Sequence, residues 1–130
     1  MKPLTSEWVE KAEGDFATAE REMDIAVHAN YDAVCFHAQQ SAEKYLKACL
    51  QEADLPFRKT HDLSELLNSL LSIHPQFESL REDLNALTEF AVEYRYPGES
   101  ADHDDAYEAL QRCRIVRDAI RQALEIAVAE

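Results

Sequence analysis

The chain has 130 residues and is 46% hydrophobic, enough for one core and too short for two, so residues 1–130 are expected to form a single domain. Two glycines and four prolines are few for a turn-rich β fold, and a formal net charge of −13 excludes a general coating protein for DNA or RNA. No apolar run approaches the roughly 20 residues that span a bilayer, and no basic start with an apolar stretch opens the chain, so a cytoplasmic protein without a membrane partner is expected.

Apolar residues recur at three- and four-residue steps almost throughout, the signature of amphipathic helices. The first helix is expected from about Ser6 to His28, capped by Thr5 or Ser6, with Trp8, Ala12, Phe16, Ala19, Met23 and Ala26 as its stripe. Asn30 reads as the cap of a second helix, Tyr31 to Ala53, whose stripe is Tyr31, Val34, Cys35, Ala38, Ala42, Tyr45, Leu46 and Cys49. So short a link between two helices makes them pack antiparallel. Asp54–Lys59, with Pro56, reads as a loop. A short third helix follows on Leu63, Leu66, Leu67, Leu70 and Leu71, with Asp62 and Glu65 at capping-box spacing. Pro75 suits the first turn of a fourth helix reaching about Tyr94, and Tyr96-Pro97-Gly98 breaks it. The last helix is expected from about His103 to Ala129. These elements predict an all-α fold, a four- to five-helix up-and-down bundle. Cys35, Cys49 and Cys113 are odd in number, far apart and inside helical patterns, so they read as small buried hydrophobes, not disulfides or metal ligands.

Polar residues gather in a few places. His37, Gln40, Lys44 and Lys47 share one side of the second helix, where Gln40 offers a donor and an acceptor and the lysines suit phosphate; the bland alternative is a solvated surface with Glu43 paired to Lys47. Arg58, Lys59, Thr60 and His61 precede the third helix, whose positive N-terminal end attracts anions; equally, His61 would fix the loop by bonding a neighbouring carbonyl. Arg95 lies between two tyrosines after the fourth helix, placed to bind phosphate, stack on a base or cap the helix. His103 stands among Asp102, Asp104 and Asp105, but no spacing typical of zinc or calcium ligands appears, and no metal or cofactor is expected. Arg114, Arg117 and Arg121 read as a solvated or partner-facing stripe.

Three segments together resemble the HEPN family (higher eukaryotes and prokaryotes nucleotide-binding): Tyr31 to Ala48, read YDAVCFHAQQSAEKYLKA; Lys59-Thr60-His61-Asp62-Leu63 followed by Leu66-Leu67; and Arg95-Tyr96-Pro97. The resemblance covers nearly the whole chain. It implies a helical bundle that usually forms a homodimer, and a place in a toxin–antitoxin pair whose antitoxin is a minimal nucleotidyltransferase. Several such toxins are metal-independent endoribonucleases with an arginine, four to six residues, then a histidine. Here seven residues separate Arg95 from His103, and Arg58 lies too close to His61. Three readings follow. A ribonuclease would act on RNA through Arg95 and His103, the histidine moving a proton and the arginine stabilising the phosphorane. A non-catalytic module would bind a nucleotide or the nucleotidyltransferase partner through His37, Gln40, Lys44, Lys47, Arg58, His61 and Arg95. A purely structural helical partner would serve dimerisation. The acidic balance and the stretched motif favour the binding module.

Overall fold

The structure, a computed structural model, describes residues 1–94 and 96–126. Its elements are α1 (Pro3–Met23), α2 (Tyr31–Glu52), α3 (Leu63–Leu70), a 3-10 helix (Pro75–Leu80), α4 (Arg81–Glu93) and α5 (His103–Ala123), with no strand among the described residues. This is the all-α up-and-down bundle that the periodicity predicts.

The second helix is the centre of the packing. Val34, Cys35, Ala38, Ala42, Tyr45 and Leu46 are wholly buried, and α2 touches α1, α3, α4 and α5. Thr5 of α1 meets Glu52 of α2, while Asp15 meets His37 and Lys44, so the first two helices run antiparallel. Tyr31 lies against His103, and Arg121 donates to the Tyr45 hydroxyl, so α2 and α5 run parallel. Arg112 donates to Asp83 and Tyr94 to Asp105, which sets α4 antiparallel to α5. All three cysteines are free and buried, and burial pushes each thiol up to about 12.

Several helix ends differ from the sequence reading. α1 begins at Pro3, which suits a first helical position, rather than at Ser6. Thr5 is buried instead of capping; its hydroxyl and the Lys2 N–H both donate to Glu52 Oε1, at 2.9 and 3.0 Å. α1 ends at Met23, and Ala26 is exposed in the link, outside the stripe assigned to it. Asn30 caps α2 as expected, accepting from the Ala33 N–H. The fourth helix opens as a 3-10 segment over Pro75–Leu80. α5 ends at Ala123; residues 127–129 of its expected length lie outside the described residues. Both α2 and α5 close with a left-handed residue, Asp54 at φ 57° and Glu125 at φ 56°. In each, the N–H of that residue and of the one after it turn back onto the last carbonyls, from Asp54 and Leu55 to Gln51 and Leu50, and from Glu125 and Ile126 to Gln122 and Arg121.

Arg114 and Arg117 of the α5 stripe pair with acids of α1. Arg117 forks onto Glu13 of α1 at 2.7 Å through both nitrogens and lies 4.5 Å over the Phe16 ring; Arg114 donates to Glu20. The buried Tyr45 hydroxyl donates to Glu13 at 2.5 Å. Burial drives the Tyr45 hydroxyl upward, with the bond to Glu13 adding to it, so it stays a donor. Burial alone would raise the Glu13 carboxyl, but the hydrogen bonds from Arg117 and Tyr45 outweigh it and hold the group below its usual range. Stability from Glu13 is therefore present above the ordinary carboxylate value of 4.5 and lost as pH falls through its lower folded value. Because Glu13 keeps 32% of its side chain in solvent, Glu13→Gln is expected to cost about 1–2 kcal/mol in urea unfolding at pH 7, with the difference from the parent shrinking below about pH 4.

Candidate functional site

The polar arc of α2 is largely enclosed. Gln39 and Glu43 show only 3% of their surface and Lys47 7%. The expected Glu43–Lys47 pair is present at 3.0 Å, but it is buried where a solvated surface was the alternative. Lys47 also lies 5.6 Å from the centre of the Trp8 ring, beneath the surface. On the flank facing α1, His37 Nδ1 and Lys44 Nζ share the two oxygens of Asp15, at 2.8 and 2.5 Å.

Helix α2 and the loop before α3 meet at Glu43. Lys47 takes Oε2, whereas Oε1 accepts from Gln39 Nε2 at 3.3 Å and bonds His61 Nδ1 at 2.8 Å. Gln40 Nε2 in turn donates to Gln39 Oε1 at 2.8 Å. His61 arrives from the loop before α3, where the Asp62 N–H donates to Thr60 Oγ1 and the Asp62 side chain caps the helix. The His61 side chain is 81% exposed, so the imidazole is fixed by a buried carboxylate at one nitrogen and open to solvent on the rest of its ring.

Above this cluster α2 and α4 leave a pocket of about 240 Å³. Phe36, Ala91 and Val92 form its apolar walls; Gln39, Gln40, His61 and Thr88 are its polar members. Phe36 and Val92 are exposed, and Phe36 also borders a second depression with Tyr94 and Phe90. The volume falls below the roughly 300–1,000 Å³ of sites for drug-sized ligands.

Of the residues singled out in the sequence, Gln40 and His61 come together at this pocket, with Lys47 under it. His37 and Lys44 face α1. Arg58 turns away: its guanidinium forks onto Glu65 at 2.6 and 3.0 Å and borders a separate depression with Phe57. The N-terminus of α3 is no open anion site, because Asp62 Oδ1 already accepts from the Ser64 and Glu65 N–H groups. His61 bonds a carboxylate of another helix rather than a neighbouring carbonyl. Glu65 serves Arg58, so the capping box expected with Asp62 is only half formed.

His103 occupies the first turn of α5, with Asp104 Oδ1 at 3.3 Å from Nδ1 and Tyr107 stacked on it at 6.4 Å. A capping box of Asp102 and Asp105 holds that turn, and Asp105 also accepts from Tyr94. Arg95 lies outside the described residues. Among the described residues, no three or more His, Cys, Asp or Glu side chains gather as a metal would need, and no helix is long and apolar enough to cross a membrane.

Phe36, Thr88 and Val92 were invisible as site residues from the sequence, since only folding sets α4 beside α2. Gln39 carried a signal: it is polar yet falls within the apolar arc of α2, four residues before Glu43, which is four before Lys47.

Two solved structures share the fold. TT1696, a protein from Thermus thermophilus, superposes with a TM-score of 0.78 at 24% identity, over 91% of this chain and 96% of its own. ST0689, an archaeal HEPN homologue, gives 0.70 at 23% identity, over 95% and 98%. No curated protein matches the sequence. The HEPN domain family matches residues 5–123, nearly the whole described bundle, and the chain belongs to that family.

Proposed function

We propose that this chain is a HEPN binding module that takes a nucleotide by its base, in the pocket between α2 and α4, and leaves the phosphates to solvent. The observation carrying this reading is a contrast. The pocket pairs apolar walls with amide and imidazole groups, while three of the cations suited to phosphate are already matched: Lys44 to Asp15, Lys47 to Glu43, Arg58 to Glu65. Freeing Lys47 for a phosphate would leave a buried carboxylate without its cation, a cost of several kcal/mol. Phe36, half exposed at the rim, suits stacking on a base. A minimal nucleotidyltransferase fits chemically as the partner in a toxin–antitoxin pair, because it handles the same class of ligand.

The endoribonuclease reading meets an unfavourable field. Glu99, Asp102, Asp104, Asp105 and Glu108 crowd the chain around His103, and they repel an RNA backbone. Incubation of RNA with the protein in EDTA is expected to give no cleavage; cleavage that disappears in both Arg95→Ala and His103→Ala would establish the enzyme instead.

Calorimetry tests the binding module. ATP and adenosine are expected to bind within about tenfold of each other, a phosphate contribution below about 1.4 kcal/mol. Phe36→Ala is expected to weaken both by about 1–3 kcal/mol, the worth of one base–aromatic stack. Affinity for ATP about a hundredfold above that for adenosine would put the phosphates at the centre and contradict the proposal. No heat with any of the four ribonucleoside triphosphates at millimolar concentration would remove the nucleotide-binding reading.

A further inference from the structure

The direction of the hydrogen bonds beneath the pocket specifies which ligand edge it recognises. A carboxylate accepts and does not donate. Glu43, facing the Lys47 ammonium, must therefore receive from every other partner, and this fixes groups whose orientation would otherwise be ambiguous. Gln39 turns its NH₂ to Glu43 and so its oxygen to Gln40. Gln40 must spend an N–H on that oxygen, and its own Oε1 takes no hydrogen bond among the described residues. His61 must carry its proton on Nδ1, because Nδ1 is the atom 2.8 Å from Glu43. In the tautomer with its proton on Nδ1, Nε2 is an acceptor.

One donor from each group thus runs inward to a buried sink, which leaves Gln40 Oε1 and His61 Nε2 as acceptors beside the second N–H of the Gln40 amide. We infer that the pocket recognises an amino-bearing nucleobase, with Gln40 Oε1 and His61 Nε2 accepting from the exocyclic NH₂ group and Phe36 covering the ring face. This rests on the base-binding reading above and adds to it a preference: adenine, guanine or cytosine over hypoxanthine or uracil. A base with a carbonyl in place of the amino group would set oxygen against two acceptors.

The closing experiment uses nucleosides, which remove phosphate from the question. Binding of adenosine, guanosine, inosine, cytidine and uridine is measured by calorimetry or by ligand-detected NMR at about pH 8, where an ordinary imidazole is neutral. At least one of adenosine and guanosine is expected to bind about tenfold or more tightly than inosine, and cytidine more tightly than uridine. In His61→Phe and Gln40→Met, each checked for helicity by circular dichroism, that discrimination is expected to fall below about threefold while some binding of the ring persists. Equal affinities for all five in the parent protein would overturn the amino-group preference and leave the base-binding reading standing. A preference for inosine or uridine would show outward donors and overturn the hydrogen-bond polarity. Absence of binding by every nucleoside would overturn both readings together. The parent comparison decides the question even if a variant fails to fold.

Discussion

The interaction on which the site depends is the enclosure of the Glu43 carboxylate. The helix that carries it is packed against four others, so a charge placed on it faces a desolvation cost of several kcal/mol unless partners reach it. Lys47 supplies the opposite charge from one turn along the same helix, Gln39 supplies an amide, and His61 crosses from the loop before α3. The last of these has a consequence beyond stability. It ties the loop to α2 and sets the imidazole at the rim of the α2–α4 pocket. One buried charge thereby orders three side chains and the backbone between two helices.

A second enclosed network does a different job. Glu13, Tyr45, Arg117 and Arg121 bind α1, α2 and α5 together, with Arg117 over the Phe16 ring. Glu13 is the acceptor at its centre, taking bonds from Tyr45 and Arg117. The two clusters use the same chemistry, carboxylate against cation with neutral polar groups attached, yet of the two it is the Glu43 cluster that borders the α2–α4 pocket. The difference is exposure: the His61 side chain reaches solvent, whereas Tyr45 is wholly buried.

Much of the fold was legible in the sequence because burial follows helical pitch. The α2 stripe from Val34 to Cys49 is core, and Asn30 caps the helix as its type and place suggest. Helix ends were less legible. Asp54 and Glu125 take left-handed conformations where glycine is the usual marker, so the signal that stops α5 at Ala123 was missing. Periodicity separates polar from apolar positions but is silent on what a polar face meets. Arg114 and Arg117 read as a solvated or partner-facing stripe, and only the antiparallel pairing of α1 with α5 brings Glu13 and Glu20 opposite them. The site shows the same limit. Gln40 and His61 were visible as candidates by residue type; the sink between them was not, since Glu43 had read as a surface partner of Lys47. Phe36 and Val92 required the docking of α4.

The measurement that bears most directly on this account is the tautomer of His61 in the free protein, read from its two imidazole nitrogen shifts and long-range couplings at about pH 8, where an ordinary imidazole is neutral. A protonated Nδ1 and a bare Nε2 are predicted, with the Nδ1 proton shifted downfield by its bond to Glu43. A proton resident on Nε2 with Nδ1 bare would contradict it, because the carboxylate would then not be the acceptor that orders the site.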